Sequence, residues 1–179
     1  YLTGTGATDR ISGFHLPTIA TVYRVGAPSL RTVVLREVDP DRRTLRFHTD
    51  NRSPKIHELK TEPLVSLHAY DPALQTQLRF AGHAKIHHRD TPSQTAWEES
   101  APMSRLCYAA PDATGAIVSV PPTALRLNEA RDGEGYENFC AVVLTVVRLE
   151  WLYLVASGHQ RALCEWDAKG CVSANWVAP

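Results

Sequence analysis

Polar and apolar side chains alternate over short stretches through most of the chain. A period of two belongs to extended strands, whose side chains point to opposite faces in turn. Residues 19–23 are a β-branched run that ends at a turn, Gly26-Ala27-Pro28. Residues 31–38, Arg-Thr-Val-Val-Leu-Arg-Glu-Val, predict one strand. Asp39-Pro40-Asp41 turns the chain. Residues 44–49 return as a second hairpin arm, with Leu45 and Phe47 alternating against Arg46 and His48. Residues 64–70 and 74–86 predict two more strands, and Gly82 marks a bulge or a close backbone approach in the second. Residues 138–155 are the most apolar strand material. Residues 160–166 and 171–177, joined by Ala168-Lys169-Gly170, predict a terminal hairpin.

Helical spacing occurs in two places. Ser53 is a good N-cap, Pro54 suits the first helical position, and Ile56 and Leu59 recur on one face before Pro63 ends the helix near Glu62. Residues 90–99 predict a second helix, capped by Asp90 or Thr91. Residues 1–13 carry no periodicity and read as an irregular arm. The Pro- and Gly-bearing stretch 109–135 reads as a long connection of the kind that is functional or mobile. Six or more short strands with two or three helices predict a mainly β (α+β) fold, an antiparallel barrel with helical decoration, over residues 14–179.

Composition narrows the function. The 179 residues suit one domain. Nineteen basic and nineteen acidic residues cancel, so the chain lacks the basic footprint of a nucleic-acid binder. No apolar run approaches the roughly 20 residues of a membrane span, and the start shows no signal-peptide pattern. The cysteines at 107, 140, 164 and 171 lack Cys-x-x-Cys spacing. They read as reduced, partly buried thiols, which points to the cytosol.

A neutral chain can still hold an anion through a local cluster, and residues 31–55 offer one. Arg31 and Arg36 bracket a strand. The following arm ends in His48-Thr49 and feeds a helix opened by Ser53-Pro54-Lys55. Free N–H groups, a hydroxyl and a cation at a helix start suit a phosphate. The same residues also describe an ordinary capped helix beside a strand with charged ends.

The order of motifs adds to this. Arg31-Thr-Val-Val-Leu-Arg36 comes first, then Phe47-His-Thr-Asp-Asn-Arg-Ser53-Pro-Lys55 with Glu58-Leu59, then Gln77-Leu-Arg-Phe-Ala-Gly82. Trp97, Arg105, Tyr108, Asn138-Phe139-Cys140, residues 149–154, Arg161 and Trp176 follow. This ordered set, over roughly residues 16–179, resembles the pyridoxamine 5′-phosphate oxidase-like family of FMN-binding split barrels. Glu137-Asn-Phe-Cys140 and residues 149–154 resemble most its cyanobacterial-type FMN-binding branch.

The resemblance implies a six-stranded antiparallel split β-barrel with flanking helices, FMN as cofactor, and a homodimer with the cofactor at the subunit interface. It implies that Arg31 and Lys55 bind the phosphate with Ser53 and Pro54 of the phosphate loop. Thr32, Val33, Val34, Leu35 and Arg36 belong to the strand along the flavin ring. His48 and Thr49 match a Tyr-Thr pair near the ring, Gln77 matches a Gln that reaches it, and Arg161 matches an Arg from the partner subunit. The implied activity is oxidation or reduction of a small-molecule substrate, with His159 and Arg161 the candidates for catalytic contact. The alternative is a split barrel that binds flavin, haem or F420 without turnover.

Departures concern the substrate. The oxidase's Arg-x-His-x-Arg run is Ser157-Gly158-His159-Gln160-Arg161 here, and Arg36 replaces a Lys. Arg89, Ser93 and Gln94 only echo its substrate-phosphate residues, so pyridoxine-phosphate oxidation is not expected. His83 and His87 share a strand face and His88 follows, but a metal site needs further ligands, and none is expected. Trp97, Trp151, Trp166 and Trp176 read as core or interface anchors.

Overall fold

The computed structural model describes residues 6–121, 133–167, 169–170 and 172–179. Among these the elements are β1 (Thr18–Val22), β2 (Pro28–Thr32), β3 (Leu35–Asp39), β4 (Thr44–Asp50), α1 (Pro54–Thr61), β5 (Leu64–Asp71), β6 (Thr76–His87), α2 (Thr91–Glu98), α3 (Pro102–Arg105), β7 (Phe139–Tyr153), β8 (Gln160–Trp166) and β9 (Val172–Val177). They form one antiparallel sheet in the order β2-β1-β5-β6-β7-β4-β3, with β8 on β7 and β9 on β8.

The sheet divides along β7. Its first half pairs with β4, from Asp50↔Phe139 to Thr44↔Thr145. Its second half pairs with β8, from Arg148↔Glu165 to Tyr153↔Gln160. β6 follows β7 along both halves. One long strand therefore serves a curled sheet and an outward hairpin, which is how a split barrel is built. Where the two halves meet, the register shifts between Ala81 and Gly82. A Cβ at position 82 would overlap the Thr145 carbonyl, so only glycine fits the bulge that bends the sheet.

Residues 31–38 are not one strand. β2 pairs with β1, β3 pairs with β4, and the chain changes partners at Val33-Val34. The Val33 N–H donates to the Pro17 carbonyl at 2.9 Å and the Leu35 N–H to that of His15 at 3.0 Å. These bonds lead the chain from one sheet edge toward the other. The split into β2 and β3 turns the six expected barrel strands into seven, and with the expected terminal hairpin β8–β9 the described residues form nine strands. The strand expected from residue 74 begins at Thr76, because Asp71 accepts from the Ala73 and Leu74 amides and Gln75 adopts φ +47.

Alternation builds the core. Leu45, Phe47, Val65, Leu67, Ala69, Leu78, Phe80, Val142, Leu144 and Val146 point inward from β4 to β7, and Ile56 and Leu59 of α1 close one end. Each Val, Leu, Ile or Phe side chain among them contributes about 1.5–3 kcal/mol on burial. A second cluster joins Trp97 and Ala96 of α2 to Phe139 and Ala141, with Tyr108 and Tyr136 against it. α2 starts in a capping box between Asp90 and Ser93. In the N-terminal stretch, residues 6–8 make one helical turn and the Gly13 N–H donates to Asp71 at 2.9 Å. The 109–135 connection is described only to residue 121 and from 133, and Ala168 and Cys171 of the terminal turn lie outside the described residues.

Candidate functional site

Where β4 ends and α1 begins, Ser53 is extended and Pro54 occupies the first helical turn, as the sequence predicts. The Ser53 hydroxyl does not cap the helix. It accepts from Lys55 Nζ at 3.2 Å, and Thr49 Oγ1 accepts from the same ammonium at 2.8 Å. Ser53 and Thr49 are buried. No carboxylate among the described residues pairs with Lys55. Burial, and after it the charge of Arg31, holds the Lys55 pKa below its ordinary value. The corner thus contains a half-buried ammonium bonded to two hydroxyls, with the carboxylates of Asp50 and Glu58 near enough to act on its charge but, among the described residues, none bonded to it.

Arg31 reaches this corner from β2. Its guanidinium donates to Glu58 Oε2 at 2.7 Å, Ser29 Oγ at 2.6 Å, the Ser29 carbonyl at 3.0 Å and Thr21 Oγ1. Glu58, on α1, is buried and also accepts from the Thr21 hydroxyl. Burial alone would raise the Glu58 pKa, but the bonds from Thr21 and Arg31 carry it below the usual carboxylate value. Beside the corner lies a cleft of about 770 Å³ lined by Tyr23, Arg52, Pro54, His57, Glu58 and Gly115 among others.

The other basic residues go elsewhere. Arg52 is held by Asp50 at 2.7 Å and donates to the carbonyls of Ala110 and Pro111. Arg36 acts on His48 and Tyr108. His48 lies edge-on to Phe139 with ring centroids 4.9 Å apart, and its Nε2 is buried without a partner among the described residues. Burial first, then the charges of Arg46 and Arg36, lowers its pKa to about 3, so the ring is neutral. Across the passage from β2 to β3, Thr32 is exposed, Val33 and Leu35 are buried, and Val34 is half-buried.

Gln77 and Arg161 lie on the outer face of the sheet. Each pairs with Leu152, Gln77 from β6 and Arg161 from β8. Gln77 Oε1 is 3.1 Å from His68 Nε2. Arg161 donates to Glu150 at 2.7 Å, and the same buried carboxylate accepts from Arg79 at 2.9 Å. His159 is exposed in the turn before β8. The structure therefore gathers Arg31, Thr49, Ser53 and Lys55 at one corner and Gln77 with Arg161 on one face, and it leaves Arg36 and His48 beside the second aromatic cluster.

Thr21, Glu58 and Glu150 have no role in the sequence reading. Glu58 appears there only within a motif, and nothing in one chain's sequence announces a carboxylate whose partners lie on other strands. The echoed substrate residues do not assemble. Ser93 is fully buried and its hydroxyl is spent on the Asp90 backbone, and Gln94 donates to Glu98. His87 pairs with Asp90 at 2.7 Å and His88 with the Phe139 carbonyl. Among the described residues no three His, Cys, Asp or Glu side chains are placed to hold a metal.

An antiparallel sheet that splits along one long strand, with a half-buried cation at a helix start, has the form of a split barrel. Residues 4–88 match the family described as "Pyridoxamine 5'-phosphate oxidase, FMN-binding domain". The chain is 26% identical over 179 residues to pyridoxine/pyridoxamine 5′-phosphate oxidase 2 of Arabidopsis thaliana, covering 96% of this chain and 89% of that one. Among solved structures it is similar to a pyridoxamine 5′-phosphate oxidase-related, FMN-binding protein of Nostoc punctiforme. That match has a TM-score of 0.77 and 26% identity, over 92% of this chain and 88% of the other. PhzG of Burkholderia lata, in complex with tetrahydrophenazine-1-carboxylic acid, shares the fold at TM-score 0.70 and 18% identity, over 92% and 82% of the two chains. Residues 4–88 thus match that FMN-binding domain, and over most of its length the chain is similar to pyridoxamine 5′-phosphate oxidase-related proteins.

Proposed function

We propose that the protein binds FMN and acts as an FMN-dependent oxidoreductase on a small-molecule substrate in the cytoplasm. The observation that carries the reading is Lys55, an ammonium taken partly out of water beside two buried hydroxyls, with no carboxylate bonded to it among the described residues. Such a group needs an anion, and the helix start beside it supplies backbone donors. Lys55, Ser53 and Thr49 hold the phosphate, and Arg31 adds the second charge. Val33, Val34, Leu35 and Thr49 border the ring, with His48 as a neutral neighbour. Gln77 and the Arg161 of a second copy complete the site, so the working unit is a homodimer. When bound, FMN supplies two-electron transfer. The chain's part is to bind, orient and exclude water. The burial of Ser93 favours a substrate other than pyridoxine phosphate.

The test is the absorption spectrum of the purified protein, with mass identification of the released group. Flavin bands and FMN are expected. Haem, F420, or failure to bind excess FMN would overturn the reading.

A further inference from the structure

The two cations assigned to the phosphate repel each other, since Arg31 helps to lower the Lys55 pKa. A long, partly exposed arginine under such repulsion gains by swinging into water, where its charge is screened. It does not swing. Each terminal nitrogen of Arg31 spends both hydrogens on the protein: one on Thr21 and the Ser29 carbonyl, the other on the Ser29 hydroxyl and Glu58. The charged member of that set is Glu58, whose side chain is 6% exposed and which also takes the Thr21 hydroxyl. It reaches from the second turn of α1 to β1 and β2, and so ties the helix that carries Lys55 to the strand that carries Arg31.

We propose that Glu58 is a positioning residue that holds Arg31 beside Lys55, with Thr21 fixing the geometry, so that the phosphate meets two cations already in place. This rests on the FMN reading above and goes beyond it. Glu58 touches neither phosphate nor ring. It removes the ordering cost that a free arginine would carry into binding. Its contribution therefore falls on the phosphate and not on the isoalloxazine.

That difference supplies the experiment. FMN and riboflavin, which share a ring and differ by the phosphate, are titrated against the full chain and against Glu58→Ala and Glu58→Gln. With Ala, FMN affinity is expected to fall about tenfold or more, the scale of a charged hydrogen bond, while riboflavin affinity stays within about twofold. Gln still offers an acceptor to Arg31 and Thr21, so it should restore most of the FMN affinity. Four results overturn the inference: unchanged or tighter FMN binding in Glu58→Ala, a parallel loss of riboflavin binding, a loss of the far-ultraviolet dichroism of the fold, or no rescue by Gln. A wild-type chain that binds no FMN overturns the FMN reading itself and this inference with it, and so is told apart from them.

Discussion

Two regions of this molecule are built on the same device, a buried carboxylate gripping an arginine. At the α1 corner Glu58 holds Arg31, and on the outer sheet face Glu150 holds Arg161 and Arg79. Their surroundings differ. Glu58 is enclosed by β1, β2 and its own helix, and Arg31 is 22% exposed. Glu150 lies on an open sheet whose arginines at 79 and 148 are half exposed or more, and the strands β8 and β9 beyond it contain no buried residue among those described. The corner is finished by this chain alone. We propose that the outer face, with Gln77 and Arg161, serves the site of a second copy.

The strongest way to break the contrast is to empty the corner. Arg31→Ala with Lys55→Ala should weaken FMN binding by about 3 kcal/mol or more, a charge-assisted bond from Lys55 at the upper end of about 1.5–3 together with the lost charge of Arg31. Riboflavin, lacking the phosphate, is the control in the same titration. Equal loss of both ligands would mean that the corner is structural. A smaller effect is expected at the joint that carries both regions. Gly82→Ala drives a methyl into the Thr145 carbonyl, and urea unfolding should show a loss of about 2–3 kcal/mol.

Acid should separate the regions further. The His48 pKa is lowered to about 3 in the fold against an ordinary 6.5. The unfolded chain therefore binds the extra proton first, and stability is whole above pH 6.5 and drains as pH falls toward 3. His48→Gln should flatten that part of the stability curve. An NMR titration in which the His48 ring protonates near pH 6 would contradict the burial assigned to it.

How much of this the sequence discloses depends on the distance between partners. Strands β4 to β7 are legible because alternation is local, as are Pro54 at the helix start and Gly82 at the bulge. The break at Val33-Val34 is not, because its cause is a pair of N–H groups committed to His15 and Pro17, and a run of β-branched residues looks the same in one strand or two. Ser53 is found at the right position, but its hydroxyl serves Lys55 rather than the helix. Glu58 and Glu150 escape for a related reason. A lone acid in an apolar face signals burial only once its arginine is known, and Arg31 and Arg161 come from other strands.

The smallest expected effect tests the β8–β9 hairpin, on the face opposite Glu150 and Arg161. Trp176 on β9 is 75% exposed and touches Trp151 edge-on, with centroids 6.3 Å apart. Within one chain an exposed ring pair is worth about 0.5–1.5 kcal/mol, so Trp176→Ala should barely move the denaturation midpoint at dilute concentrations where only monomer is present. At concentrations where two copies associate, the same ring is an anchor of the kind that dominates interfaces, and the variant should shift the sedimentation equilibrium toward monomer. An indole that matters to the assembly and not to the chain is what an incomplete face requires. If Trp176→Ala instead unfolds the chain at every concentration, the hairpin is finished by its own packing, and the contrast with the α1 corner disappears.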